Sequence, residues 1–115
     1  MLRGEIRVVD LDPARGSEAS KRRPAVIVSN DGANTTAVRL NRGVVTVVPI
    51  TSNVIRVYPF QVLLPASECG LPSNSKAQAE QVRSVAIERI GRRIGQLTAP
   101  LLADLDEALR LHLAL

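Results

Sequence analysis

Proline and glycine interrupt the apolar runs of this sequence after only a few residues. The clearest run, at 44–48, is rich in β-branched side chains and lies between Gly43 and Pro49. Runs of about four to eight such residues are typical of strands and are short for helices. The sequence therefore predicts a small sheet whose strands are joined by tight turns.

The same pattern gives the expected positions of the other strands. We expect strands at 5–9, 26–28, 44–48, 59–64 and 92–96. Pro24 is expected to open the second strand and Pro49 to close the third, because proline cannot donate to a ladder. Residues 10–22 are expected to form a loop, and 30–41 a loop or a short helical turn. The segment 76–87 suits either a strand or a helix.

The C-terminal residues carry the clearest helical pattern. Thr98 is a good N-cap, and Pro100 falls in the first turn, where its missing N–H costs nothing. The apolar stripe comprises Leu101, Leu102, Leu105, Leu109 and Leu113. His112 lies beside the stripe near the helix end, where we interpret it as structural. The expected fold is mainly β with a C-terminal α-helix, curved into a small antiparallel barrel.

The length and the rare residue types narrow the possible functions. A chain of 115 residues predicts a single domain, 1–115, because two halves would each bury too little surface. Neither a transmembrane stretch nor a signal peptide is visible, so we expect a cytoplasmic protein. Cys69 is the only cysteine and His112 the only histidine. The chain therefore has few side chains for a metal site or for catalysis by histidine. We expect no cofactor, and a structural Cys69.

The charge distribution favours a polyanionic partner. The formal net charge is +4, and 14 of the 15 Lys and Arg residues lie within 1–97. Arginine greatly outnumbers lysine, which suits forked contacts to phosphates, although a codon bias would give the same composition. Tyr58 and Phe60 are the only aromatic residues, which disfavours a base-stacking platform.

Five segments, taken in order, resemble the MazF/PemK toxins of bacterial toxin–antitoxin modules. They are RGEIRVVDLDPARGSE at 3–18, RPAVIVSN at 23–30, VVPITSN at 47–53, YPFQVLL at 58–64 and EQVRS at 80–84. The match runs over nearly the whole chain and includes the closing LDEALRLHL helix. The resemblance implies an SH3-like β-barrel of the CcdB/PemK type that forms a two-fold homodimer.

The resemblance also implies an activity and partners. The chain would be a toxin that cleaves single-stranded RNA, mRNA in particular, at specific sequences without a metal, a cofactor or the ribosome. Attack by the ribose 2′-OH would leave a 2′,3′-cyclic phosphate and a 5′-hydroxyl. A MazE-type antitoxin with an acidic tail would block the site, and DNA would be contacted only through the antitoxin complex.

The family motifs imply three catalytic residues in this sequence. Arg23, of the Arg-Pro pair, would grip the scissile phosphate, and Thr51 would donate a hydrogen bond to a phosphate oxygen. Glu18 would accept the proton of the 2′-OH or orient Arg23. Substrate contacts are implied for Lys21, Arg22, Ser52, Asn53, Gln81 and Arg83. 

Each implied role has an alternative. Arg23 could form a surface ion pair, Thr51 could serve only a turn, and Glu18 could be a solvated loop charge. At the level of function, a CcdB-like toxin that binds DNA gyrase without nuclease activity has the same barrel. A degenerate module that retains RNA without cutting it is the third possibility.

Overall fold

The computed structural model describes residues 1–13, 15–18 and 21–115. Its helices and strands, in chain order, are β1 (Glu5–Asp10), β2 (Arg22–Ile27), α1 (Asp31–Leu40), β3 (Val44–Thr51), β4 (Gln61–Leu64), α2 (Ala66–Cys69), β5 (Ser75–Gln78), β6 (Arg83–Ala86), β7 (Ile90–Gln96) and α3 (Ala99–Leu113). Two 3-10 turns, Ala79–Gln81 and Ile87–Arg89, flank β6. The expected fold class, mainly β with a C-terminal helix, is confirmed.

The strands form one strongly curved antiparallel sheet in the order β4-β5-β3-β2-β1-β7, with β6 also paired to β3. The strand β3 causes the curvature because it changes partner along one edge. It pairs with β6 from Val44 to Val47 and then with β5 at Ile50 and Thr51. Among the described residues the pairing path ends at β4 and β7, which makes this an open, barrel-like sheet.

Two prolines lie inside strands, where the sequence analysis placed them at strand ends. Pro24 pairs with Val8 of β1, but the pairing of β2 with β3 begins only at the next residue. Pro49 lies between the part of β3 that pairs with β6 and the part that pairs with β5. Because each proline sits where one neighbouring ladder stops, its missing N–H leaves those ladders intact.

The segment 30–41 contains the ten-residue helix α1, which is longer than the loop or short turn expected. The Asn30 side chain caps α1 by accepting a hydrogen bond from the backbone N–H of Ala33. Asn34 is fully buried, and its Nδ2 donates to the Ser29 carbonyl at 2.8 Å. The Ser29 hydroxyl donates to Asn34 Oδ1 and accepts from the Thr46 N–H at 3.0 Å. These bonds fix a helix that Asn, Thr and Gly disfavour by propensity.

The ambiguous segment 76–87 contains strand rather than regular helix. It runs from the end of β5 through a 3-10 turn into β6, so neither of the two expectations describes the whole segment. The 3-10 turn separates β5 from β6, and these two strands pair with different parts of β3. This interruption explains why the sequence pattern of 76–87 fitted both a strand and a helix.

The buried apolar residues form two clusters. One cluster is covered by α3, where Leu105 and Ala108 are buried against the sheet. The second contains Ala37 of α1, packed against β1, β2 and β3. The predicted C-terminal helix is confirmed, with the Thr98 side chain accepting from the Leu101 N–H. None of the helices in the described residues has the length and apolarity needed to span a membrane.

Cys69 belongs to the first cluster and is 2% exposed. Burial raises the pKa of its thiol, and the charge of Glu68 adds to this effect. The packing beside it is tight, since a Cβ on Gly95 would lie 1.9 Å from the Cys69 carbonyl oxygen. The thiol is therefore a core group, as expected from the sequence.

A partly buried ion pair lies on β1. Glu5 is 7% exposed, and its Oε1 accepts from Arg7 Nη2 at 2.9 Å. Burial by itself would raise the pKa of Glu5, but hydrogen bonds from Arg7 and from the Leu2 N–H, with the charges of Arg7 and the N-terminus, hold it below its usual value. The carboxylate form of Glu5 is thus favoured by folding.

Candidate active site

A cleft of about 370 Å³ opens where β2 enters the sheet and β3 leaves it. It is lined by Arg23, Pro24, Ile50, Thr51, Ser52, Leu71, Pro72, Ser73 and Ser75. Three of the residues implied by the sequence, Arg23, Thr51 and Ser52, therefore line one cavity. The cleft mixes a cation and several hydroxyls with apolar walls, which is the composition expected of a small polar-ligand site.

Arg23 is half-buried at the cleft. Its backbone is fixed by pairing with Val9 in the β1–β2 ladder. In the described part of the chain its guanidinium has no ion pair or hydrogen bond, in contrast to Arg3, Arg7 and Arg110, which each pair with a carboxylate. The expected alternative, an ion pair on the surface, is therefore not formed within the described residues. A rigidly placed fork with unused donors can accept a phosphate.

The Thr51 hydroxyl has a role in the turn that leaves its proton available. Its Oγ1 accepts a hydrogen bond from the Asn53 N–H at 3.2 Å. A hydroxyl that accepts in this way still carries one O–H donor. The turn fixes the rotamer, so the turn role and donation to a ligand in the cleft are compatible.

Asn53 lies in the same turn but serves the backbone. Its Oδ1 accepts from the Ile55 N–H at 3.3 Å, and the residue is exposed. Ser52, by contrast, lines the cleft. Of the two expected substrate contacts after Thr51, the structure places only Ser52 among the cleft residues.

Arg22 lies outside the cleft although it precedes Arg23. Successive side chains of a strand project to opposite sides. Arg22 Nη2 lies 3.6 Å from the point where Gly91 would carry a Cβ. A Cβ there would also lie 2.9 Å from the Val8 carbonyl oxygen, so glycine permits this close approach of β7 to β1. The expected phosphate contact by Arg22 would thus be made on another surface.

Glu18 and Lys21 belong to the connection between β1 and β2. The Glu18 carboxylate accepts from the Arg15 N–H at 2.7 Å and stabilises a local turn. Lys21 has a positive φ of 69°, and its N–H donates to Asp12 Oδ1 at 2.8 Å. Both residues are exposed, and neither is among the residues that line the cleft.

Gln81 and Arg83 donate to this connection, whereas the sequence analysis expected them to contact RNA. Gln81 Nε2 donates to the Ser17 carbonyl at 3.0 Å, and Arg83 Nη1 donates to the Leu11 carbonyl at 3.2 Å. Arg89, which the sequence analysis did not single out, donates through Nη1 to the Asp10 carbonyl at 3.3 Å and also to the Asp12 carbonyl. In this structure these three side chains hold the loop.

Metal ligation has little support from the geometry. Across 1–13, 15–18 and 21–115, no three His, Cys, Asp or Glu side chains lie together as a metal ion requires. The Arg23 guanidinium and the hydroxyl groups around it can donate hydrogen bonds to an anion. They are not placed as metal ligands.

Comparison with known proteins decides the family. The profile described as PemK-like, MazF-like toxin of type II toxin-antitoxin system matches residues 2–113. This chain is a member of the PemK/MazF toxin family. It is 67% identical over 115 residues to Endoribonuclease MazF9 of Mycobacterium tuberculosis, which covers 100% of this chain and 98% of that protein. The resemblance seen in the sequence is therefore confirmed.

Solved structures of PemK/MazF toxins have the same fold. MazF (Form-I) from Deinococcus radiodurans superposes with a TM-score of 0.79 at 25% identity, covering 100% of this chain and 97% of that one. An endoribonuclease in complex with its cognate antitoxin, from a mycobacterial species, gives a TM-score of 0.77 at 23% identity and covers 100% and 96% of the two chains. The curved, barrel-like β-sheet with a terminal helix is thus the shared architecture.

Several residues of this PemK/MazF site were missed from the sequence. Leu71, Pro72 and Ser73 form one wall of the cleft, but the sequence analysis gave them no role. Lys76 was also missed, although it is buried beside Thr51. A buried position in a short strand is a usable signal only once the strand register is known, because lysine is otherwise assigned to the surface.

Proposed function

We propose that this chain is the toxin of a toxin–antitoxin system and cleaves single-stranded RNA, including mRNA, at specific sequences. The single observation that carries the proposal is the guanidinium of Arg23, which has no partner among the described residues, in the same cleft as the Thr51 hydroxyl. Membership of the PemK/MazF family and the identity to a protein named an endoribonuclease support it. We further propose that neither a metal nor the ribosome is needed.

The reaction follows from the groups that the cleft supplies. The substrate provides its own nucleophile, because the ribose 2′-oxygen attacks the adjacent phosphorus as the bond from phosphorus to the 5′-oxygen breaks. The products are a 2′,3′-cyclic phosphate and a 5′-hydroxyl. Negative charge grows on the phosphorane oxygens in the transition state, where the Arg23 fork and the Thr51 O–H would stabilise it.

Two proton transfers complete the step. The 2′-OH must lose a proton to a base, and the leaving 5′-oxygen must gain one, which water can supply. Arg23 cannot serve as the base, because a guanidinium has N–H donors and no acceptor, but it can donate a hydrogen bond to the leaving oxygen. Glu18 is the base proposed from the family motif, and its carboxylate would exchange the Arg15 N–H for the substrate proton.

The proposed partners follow from the family and from the charge. The basic body of the chain suits an RNA strand and an acidic antitoxin tail of the MazE type. We propose that residues 1–115 act as one toxin domain within a homodimer, that DNA is contacted only through the antitoxin complex, and that the protein works in the cytoplasm, where mRNA is found.

The decisive experiment incubates the purified protein with a long mixed RNA in excess EDTA, followed by mapping of both new ends. We expect cuts at a defined sequence, cyclic phosphate and 5′-hydroxyl ends, and no cutting of the matching DNA. The variant Arg23→Ala should lose activity while its thermal unfolding is unchanged. Arg39→Ala, an exposed arginine on α1, is the matched control and should cut normally.

Three outcomes would contradict the proposal. Full activity in Arg23→Ala would remove the catalytic assignment. Binding of DNA gyrase without RNA cleavage would favour the CcdB-like alternative. Retention of RNA without cleavage at any protein concentration would make the chain a binding module.

A further inference from the structure

Two loops meet the cleft near Arg23 and Thr51. The connection 11–21 leads into β2 two residues before Arg23. The connection 52–60 leaves β3 directly after Thr51. Because each loop is covalently joined to a cleft residue, whatever holds the loops also sets the position and mobility of these two groups.

The first loop is held by side chains from the region that follows β5. Arg83 and Arg89 bind the main-chain carbonyls of Leu11, Asp10 and Asp12 at the start of the loop. Gln81 binds the Ser17 carbonyl farther along it. The backbone N–H of Leu11 also donates to the Lys21 carbonyl at 2.9 Å and closes the base of the loop.

The second loop is held by Lys76. Its Nζ donates to the Arg56 carbonyl at 2.6 Å, and the residue is only 8% exposed. Lys76 is the Cα partner of Thr51 in the ladder between β3 and β5, so both side chains project from one face of the sheet. Within the described residues no carboxylate pairs with this ammonium.

Lysine is rarely found at a buried position unless its charge is paired. The bond from Lys76 to the Arg56 carbonyl joins β5 to the loop that follows β3. This contact therefore suits a role in positioning that loop.

We propose that the segment 76–89, here called the brace, positions both catalytic loops, with Lys76 and Arg89 as positioning residues. Because the brace binds main-chain carbonyls, its contacts with the loops do not depend on which side chains the loops present to RNA. The brace keeps Thr51 and the loop that leads to Arg23 in fixed positions relative to each other. This proposal rests on the proposed ribonuclease function. The expected contribution of Gln81 and Arg83 is thus to the loop, and not to phosphates or bases.

The test measures steady-state cleavage of a defined RNA by Lys76→Met and Arg89→Met. Misplacement of catalytic groups by about 1 Å can cost up to about 100-fold. We expect kcat to fall about 10- to 100-fold in each variant, with KM changed by less than about threefold. Arg39→Met removes a charge from an exposed position and should match the wild type.

Salt dependence separates positioning from phosphate contact. Binding to a single-stranded RNA with a 2′-deoxy cut site is measured over a salt series. Loss of one phosphate contact would lower the slope of log K against log salt by about 0.7. The brace hypothesis requires unchanged slopes for both variants, together with faster hydrogen exchange at 10–18 in Arg89→Met and at 53–58 in Lys76→Met.

Conservative variants complete the design. Lys76→Arg and Arg89→Lys keep a donor and should recover part of the lost kcat. The variant Lys76→Met should unfold at or above the unfolding temperature of the wild type. Wild-type kcat and loop exchange in both methionine variants would overturn the brace, as would a lowered salt slope. Failure of the proposed function is recognised separately, because the wild type would then cut no RNA, and failure of the Arg23 assignment would leave Arg23→Ala cutting as the wild type does.

Discussion

The cleft and the start of α1, where Ser29 and Asn34 lie (the α1 corner), both place polar side chains against the sheet, but their hydrogen bonding differs. At the corner, the donors and acceptors of Asn34 and Ser29 are used within the protein. At the cleft, the Arg23 guanidinium has no partner among the described residues, and the Thr51 hydroxyl keeps its donor. Polar groups that satisfy each other specify the fold, and polar groups left unsatisfied at an open cavity are available to a ligand.

Replacing Arg23 by lysine should have the largest effect. Arg23→Lys keeps the charge but loses the planar fork, and removal of a single transition-state donor typically costs about 10²- to 10³-fold in kcat. We expect that loss in RNA cleavage, with the free energy of unfolding changed by less than about 0.5 kcal/mol. Kinetics and denaturant unfolding on the same preparation measure both quantities. Activity within threefold of wild type would show that only the charge matters.

Replacing Asn34 by alanine should lower stability and leave catalysis unchanged, the opposite of the effect of Arg23→Lys. The Ser29 carbonyl and hydroxyl lose their buried partner, which costs about 1–3 kcal/mol of unfolding free energy. Thermal unfolding should shift by several degrees, while the cleavage rate per folded molecule stays the same. Thr36→Ala, an exposed change on the same helix, is the control. A large loss of kcat without a loss of stability would place the α1 corner in the site.

Replacing Thr51 by valine should have a moderate effect on catalysis. One hydrogen bond to a charged group contributes about 1.5–3 kcal/mol, so we expect kcat to fall by about tenfold or more. The bond to the Asn53 N–H is also lost, and unfolding will register that part. Thr51→Ser keeps the hydroxyl and should recover most of the activity. If valine and serine variants cut equally well, the hydroxyl has only its turn role.

The smallest effect is expected for Glu5, a satisfied group like those at the α1 corner. Its pKa is lower in the folded chain, so its carboxylate contributes stability that is fully present above the ordinary pKa of about 4.5 and is lost as the pH falls through the folded value. The difference in unfolding free energy between the wild type and Glu5→Gln should therefore shrink below about pH 4.5. Unfolding at pH 7 and in the acid range checks this, and a constant difference would contradict it.

The sequence analysis predicted the helix α3 and most strands because these depend on local patterns, whereas Arg23 and Thr51, which line one cleft, were implied by the family motifs. Thr98 with Pro100 marks a helix start, and β-branched runs mark strands whatever surrounds them. The helix α1 was missed because its poor helix formers are outweighed by buried bonds from Asn34, which only the folded sheet supplies.

Gln81 and Arg83 show the same dependence on the folded sheet. The resemblance implied substrate contacts for both residues, and in this structure their donors bind carbonyls that lie 64 and 72 residues earlier in the chain. Contacts at that separation depend on sheet topology, which local pattern does not contain.

The enclosed thiol of Cys69 has a practical consequence for single-molecule work. Because the sole sulfhydryl is buried in the core and burial raises its pKa, maleimide dyes should react far faster with a cysteine introduced at Ser17 on the surface. The natural sequence is then already a suitable background for site-specific fluorophores, and no native residue has to be removed first.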